Sequence, residues 1–145
     1  MIKKIKILIV TVFLTAFGGA VYADFQDGVN AADKGDWKTA FKEWQPLADQ
    51  GNASAQTLLG LMYANGEGVL KDDKQAVKWY QKAADQGDAD AQYNLGWAYA
   101  SGEGVLKDLS KAKYWIKKAY ENPDASASIL GLAEKGWNQL ELWKY

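Results

Sequence analysis

The seven-residue word GEGVLKD stands at Gly66–Asp72 and again at Gly102–Asp108. A glycine-rich word either cradles a phosphate or turns the chain. A phosphate loop follows a strand, opens a helix and carries a Lys-Ser/Thr pair or a third glycine at fixed spacing, and neither copy has these surroundings. Glycine just past a helix end instead supplies the left-handed backbone that redirects the chain. Gly66 and Gly68 sit where that role requires, after one periodic run and before Asp72, a residue type suited to capping the next helix. Val69 and Leu70 are expected to tuck into the seam between the two helices.

Working outward, Ala53–Asp88 laid over Ala89–Asp124 gives two 36-residue units with 19 identical positions. The shared skeleton is A-x-A-Q-x-x-L-G-x-x-Y-A-x-GEGVLKD, followed by Ala76/Ala112, Trp79/Trp115, Lys82/Lys118 and Ala83/Ala119. Repetition at such a period is the mark of stacked repeat architectures. Each unit reads as two helices. In the second, Ala76, Trp79, Tyr80, Ala83 and Ala84, then Ala112, Trp115, Ile116, Ala119 and Tyr120, fall on one face of a 3.6-residue period. Lys74, Lys78 and Lys82, or Lys111, Lys113, Lys117 and Lys118, lie opposite as a solvated face. The first helix reads as shorter, with Ala55, Leu59 and Tyr63, or Ala91, Leu95 and Tyr99, on its buried side. Gly60 and Gly96 lie mid-helix at a cost of about 1 kcal/mol each, which close approach of a neighbouring helix would offset.

Capping residues recur at the same period: Asp36, Asp72 and Asp108 before second helices, and Asn52, Asp88 and Asp124 before first helices. Asp72 with Gln75 fits a reciprocal capping box. Two local features depart from the pattern. Pro46 lies inside an amphipathic run and is expected to kink or end it. In the last unit Leu130-Gly131 comes one residue early against Leu95-Gly96. The tail Trp137–Tyr145 reads as a short capping helix with Trp137, Leu140 and Trp143 against the stack, since repeat arrays need atypical ends. Docking of this aromatic tail on something else is the alternative.

The combined word A-x-x-x-L-G-x-x-Y-x-x-G-x-GV-x-x-D-x-x-x-A-x-x-W-x-x-x-A-x-x-G resembles the Sel-one-like repeat, a branch of the tetratricopeptide-like helical repeats. Ala55 to Gly87 matches throughout, Ala91 to Asp124 matches except for Pro123 in place of the last glycine, and Phe25–Ala40 looks like the shorter first unit of bacterial members. The resemblance implies an all-α fold, an α/α solenoid wound as a right-handed superhelix of antiparallel helix pairs. It also implies that the first helices line a concave groove that holds other proteins, as adaptors and scaffolds do.

At the N-terminus, Lys3, Lys4 and Lys6 precede the apolar run Ile7–Phe17, and Val21 and Ala23 supply small residues before Asp24. This order reads as a secretory signal peptide over 1–23, with a retained membrane anchor as the rival reading. The repeat domain then occupies 24–145, divided as a short first unit (24–52), two repeats (53–88 and 89–124) and a degenerate cap (125–145). Cleavage removes three lysines and takes the formal net charge from −1 to −4. The chain has no arginine and no basic stripe, which disfavours nucleic acid. The expected location is the periplasm, with no membrane span after cleavage and the oligomeric state open.

Chemistry has few places to reside. Without His or Cys, a serine–histidine triad, a cysteine nucleophile and the usual zinc sets are unavailable. Ser110 and Lys113 match S-x-x-K, but the accompanying S-D-N and K-T-G elements are absent. The acidic pairs Asp72-Asp73 and Asp88-Ala89-Asp90 are accounted for as caps. No catalytic residue, metal site or cofactor is expected. Function is sought among first-helix residues that differ between units: Thr57, Leu58, Leu61 and Asn65 in one, Tyr93, Asn94, Trp97 and Ser101 in the next. Tyr and Trp are the usual anchors of interfaces, although Tyr93 and Trp97 also suit packing between helix pairs. The expected role is an exported, non-enzymatic module binding a peptide or protein in a groove, as adaptor, scaffold or inhibitor. Cell-wall glycan binding is the alternative and a small hydrolase the minor one.

Overall fold

The computed structural model describes residues 25–144; the signal sequence read at 1–23 lies outside them. The described residues are helical, without strands. Helix α1 covers 25–33 and is followed by α2 (Trp37–Asp49), α3 (Ala53–Asn65), α4 (Asp73–Asp85), α5 (Ala89–Ser101), α6 (Leu109–Tyr120) and α7 (Ala127–Gln139). A 3-10 turn, Leu142–Lys144, follows α7. Consecutive helices pair as α1/α2, α3/α4 and α5/α6, and α7 begins a fourth unit, so the fold is an all-α solenoid. None of the described helices is long and apolar enough to cross a membrane. The first helix of each repeat is as long as the second (13 residues against 13 and 12), which corrects the shorter first helix expected from sequence.

Within each pair the helices meet at a glycine. A Cβ on Gly28 would stand 2.2 Å from Trp44 Nε1, one on Gly60 2.4 Å from the Tyr80 ring, and one on Gly96 2.7 Å from Ile116 Cγ1. The large side chain of the second helix therefore lies directly on the backbone of the first. One position earlier, Trp79 and Trp115 reach into the core shared with the preceding pair, alongside Leu59 and Met62 or Ala91 and Leu95. Adjacent residues of one helix thus close its own pair and the stack.

The repeated word closes the stack a second way. Gly66 and Gly102 end α3 and α5 in the left-handed region, with φ of 73° and 82°. Gly68 and Gly104, also at positive φ, press on the first turn of the preceding second helix: a Cβ would stand 2.4 Å from the Trp37 carbonyl oxygen and 2.1 Å from that of Asp73. Val69 is half-buried as expected, but Leu70 and its counterpart Leu106 are 91% and 90% exposed, so the leucine does not enter the seam.

Buried polar groups tie the repeats together. Gln56 Nε2 donates to the Ala48 carbonyl at 3.0 Å, and Gln56 Oε1 accepts from Gln86 Nε2 at 2.7 Å. Gln92 repeats this with the Ala84 carbonyl (3.4 Å) and Asn122 Nδ2 (3.1 Å). A buried amide left unpaired costs about 1–3 kcal/mol, so each glutamine fixes the angle at which the next pair joins.

Five of the expected caps act as such: Asp36, Asn52, Asp72, Asp88 and Asp108 each accept a backbone amide three residues on. The capping box at Asp72 is half formed, because its amide donates to the Tyr63 carbonyl (2.9 Å), as that of Asp108 does to Tyr99. Asp124 is not a cap. Asn122 donates to the Gly87 carbonyl and accepts from the Asp124 amide, holding Asn122–Asp124 as a turn, so α7 starts later with Ser126 capping Ile129. The shifted register leaves Gly131 facing open space and puts Ala133 against Ile116. Tyr120, expected to be buried, is 53% exposed, whereas Ala84 at the matching position is 1% exposed; Tyr120 lines a hollow beside the displaced α7. Helix α2 continues through Pro46, which lies exposed in its last turns. The tail is not a separate helix. Trp137 belongs to α7, Glu141 adopts φ 51°, and the chain folds back so that Leu142, fully buried, closes the end against Ile116 and Ala133.

These contacts give two stability predictions, both read by urea denaturation. Leu142→Ala should cost about 2–5 kcal/mol, whereas Leu70→Ala should change stability by less than about 0.5 kcal/mol. Gly87 and Gly104 both have positive φ, but only Gly104 abuts backbone. Gly104→Ala should therefore cost at least about 1 kcal/mol more than Gly87→Ala.

Candidate binding trough

The first helices are spaced so that their exposed sides leave two hollows. One, of about 300 Å³, opens between α1 and α3 over Trp37 and Trp44, with Val29, Leu58 and Met62 on its walls. The other, of about 200 Å³, opens between α3 and α5 over Val77 and Tyr80, with Ala64, Asn94 and Trp97 on its walls. Leu61 and Asn65 line both, so the two hollows adjoin along the first-helix side and are together called the trough. Burial and then the Asp73 charge push the Tyr80 hydroxyl well above the usual tyrosine range.

The expected groove residues separate into two sets. Leu61, Asn65, Asn94 and Trp97 come together in the hollow between α3 and α5, and Leu58 joins them through the other hollow. Leu58 and Leu61 also rest on the core, but Trp97 is half-buried and outside all four core clusters. Ser101 is exposed at the end of α5, its hydroxyl 3.4 Å from the Ala98 carbonyl, and lines neither hollow. Thr57 is 5% exposed and belongs to the seam between repeats, where its hydroxyl donates to Asp88 Oδ1 at 3.0 Å. Tyr93 also belongs to a seam. It packs against Ile129 and Ala133 of α7, and burial pushes its hydroxyl above the usual range. With two readings open for Tyr93 and Trp97, groove contact or packing between helix pairs, the neighbours differ: Tyr93 meets the α7 seam and Trp97 the hollow.

Several lining residues were not anticipated. Val29, Asp33 and Trp37 come from the first unit, and Glu67 and Glu103 from the repeated word itself. The turn uses the glycines and the Glu67 amide, which donates to the Met62 carbonyl at 3.0 Å, so only the glutamate side chain is left without a role in it.

Other side chains do not converge on chemistry. Ser110 is exposed, and Lys113 lies 5.7 Å from the Trp137 ring. Asp88 is committed to the Ala91 amide and the Thr57 hydroxyl. Its neighbour Asp90 is held above the usual carboxylate range by partial burial and then by the Asp88 charge. Asn52, the asparagine of an Asn-Ala-Ser sequon, caps α3. Among the described residues no group of three or more acidic side chains is placed to hold a metal ion. A separate hollow of about 380 Å³ lies where α7 diverges from α6, lined by Tyr120, Trp137, Asn138, Glu121 and Glu134.

No curated protein matches the chain. Solved structures do. A Sel1 repeat protein from Oxalobacter formigenes is 37% identical over 68% of this chain, with a TM-score of 0.64. The protein c5321, a protective antigen of uropathogenic Escherichia coli strains displaying an SLR fold, is 28% identical over 93% of this chain, with a TM-score of 0.66. The chain spans 39% and 33% of the lengths of these two proteins. Helicobacter pylori cysteine rich protein B shares the fold, with 23% identity, a TM-score of 0.59 and coverage of 78% of this chain and 94% of its own. Sel1 repeat proteins are generally modules for protein interaction. The Sel1 repeat family model matches residues 53–88 and 89–124, and the chain is accordingly a Sel1-repeat protein.

Proposed function

We propose that this protein is exported to the periplasm as a non-enzymatic binding module and holds a peptide or protein segment in the first-helix trough, as an adaptor, a scaffold or an inhibitor. The observation that carries the reading is the position of Trp97: a large aromatic at the trough wall, half-buried and free of the core. Aromatic anchors beside apolar walls and polar neighbours are the usual make-up of an interface centre. Leu58 and Leu61 supply the walls, Asn65 and Asn94 the polar neighbours. Export is supported by the order of basic, apolar and small residues before Asp24.

Cell-wall glycan binding is a second reading with one specific support. Tyr120 and Trp137, beside Asn138 and two glutamates in the hollow between α6 and α7, offer aromatic faces and hydrogen-bond partners of the kind a sugar ring uses.

In crosslinking pull-down from the envelope fraction, wild-type protein should enrich a partner that Trp97→Ala loses at unchanged helicity. Tyr93→Ala should instead lower stability, by about 1–3 kcal/mol. Recovery of the same partner by wild type and Trp97→Ala would contradict the trough assignment. Sedimentation with purified peptidoglycan that is lost in Tyr120→Ala, but not in Trp97→Ala, would favour the second reading.

A further inference from the structure

We propose that the segment held in the trough is cationic as well as apolar, with lysine or arginine side chains flanking apolar ones. This inference rests on the trough being the binding site and adds the chemistry of its occupant. Among the helices of the two repeats, lysine is confined to one helix of each pair. Helices α3 and α5 contain no lysine, while the outer helices α4 and α6 carry Lys74, Lys78 and Lys82 and Lys111, Lys117 and Lys118. The residues lining the two hollows include four carboxylates, Asp33, Glu67, Asp73 and Glu103, and no basic side chain. Asp73 is offset by Lys71 at 3.6 Å. Glu67 accepts a neutral hydrogen bond from Asn65 (3.2 Å). Asp33, Glu67 and Glu103 are in none of the ion pairs among the described residues.

Lys71 and Lys107 follow the glutamate in each copy of the repeated word, yet neither lines the hollows. An apolar hollow rimmed by carboxylates attracts an apolar segment bearing positive charge and repels an acidic one. A concave, low-dielectric wall strengthens that preference relative to a flat surface. The repeated word places one such glutamate beside each turn, so the acidic positions follow the period of the solenoid. An extended segment can meet them in succession.

The test uses three labelled ten-residue peptides, alternating leucine with lysine, with serine or with glutamate, and reads fluorescence anisotropy at low salt. The lysine peptide should bind at least about tenfold more tightly than the serine peptide and lose most of that advantage at about 0.5 M salt. The glutamate peptide should not bind. The triple variant Asp33→Asn, Glu67→Gln, Glu103→Gln should reduce the lysine peptide to the affinity of the serine peptide. Removal of three exposed carboxylates outside the trough, in Asp49→Asn, Asp85→Asn, Asp124→Asn, should leave the preference in place, which separates local from net charge. Equal binding of lysine and serine peptides, both lost in Trp97→Ala, would overturn the cationic preference and leave the trough as the site. A lysine preference untouched by the triple variant and by Trp97→Ala would put it elsewhere on the surface and overturn the inference. No binding by any peptide would count against both the preference and the trough.

Discussion

A glycine facing a large side chain is the contact on which each complete helix pair depends. Gly28 under Trp44, Gly60 under Tyr80 and Gly96 under Ile116 bring helices closer than a methyl group would permit. Such closeness sets which faces meet, and so which stay open. With the second helix seated on that glycine, its lysines are turned to water and its neighbouring tryptophan reaches back into the previous pair. The glycines of the turn then set the preceding second helix against the loop, and the buried glutamines fix how the next pair joins. The face left over belongs to the first helices, and there the trough lies. At Gly131 the glycine contact is missing: α7 is shifted in register, and Leu142 packs against Ile116 and Ala133.

Much of this was legible because the chain states its plan twice. Two nearly matching units expose the period, and the period assigns helices, turns and five caps without reference to tertiary structure. Mid-helix glycines, costly in isolation, announced a close neighbour. What escaped was whatever depended on the size of a local space or on a partner distant in sequence. Leu70 is apolar and beside a seam, yet the turn directs it outward. Tyr120 has the right period, but the displaced α7 does not cover it. Asp124 has the right spacing, but Pro123 and Asn122 had already made a turn of their own. Leu142 reached the core through a residue at positive φ that no apolar pattern forecasts.

The candidate site was legible to a lesser degree, for the same reason. Leu61, Asn65, Asn94 and Trp97 were found by asking which first-helix positions differ between units, and that question presumes that variable positions face outward. Thr57 and Tyr93 vary because the two seams they fill differ: one meets the capping Asp88, the other the displaced α7. Variation there reflects the neighbour rather than a ligand. Conversely Glu67 and Glu103 do not vary, and a search for differences passes over them. Their identity became informative only when the structure placed both beside the trough while their glycines did the turning.

The proposed binding face is the one the glycine contacts leave open. Its most direct test is site-specific photo-crosslinking in living cells, with a photoreactive residue at position 61 in the trough or at position 78 on the lysine-bearing outer face. Crosslinks to one partner from position 61 and none from position 78 are what the account predicts. The same partner captured from position 78 alone would contradict it, and would move the working surface to the outer helices.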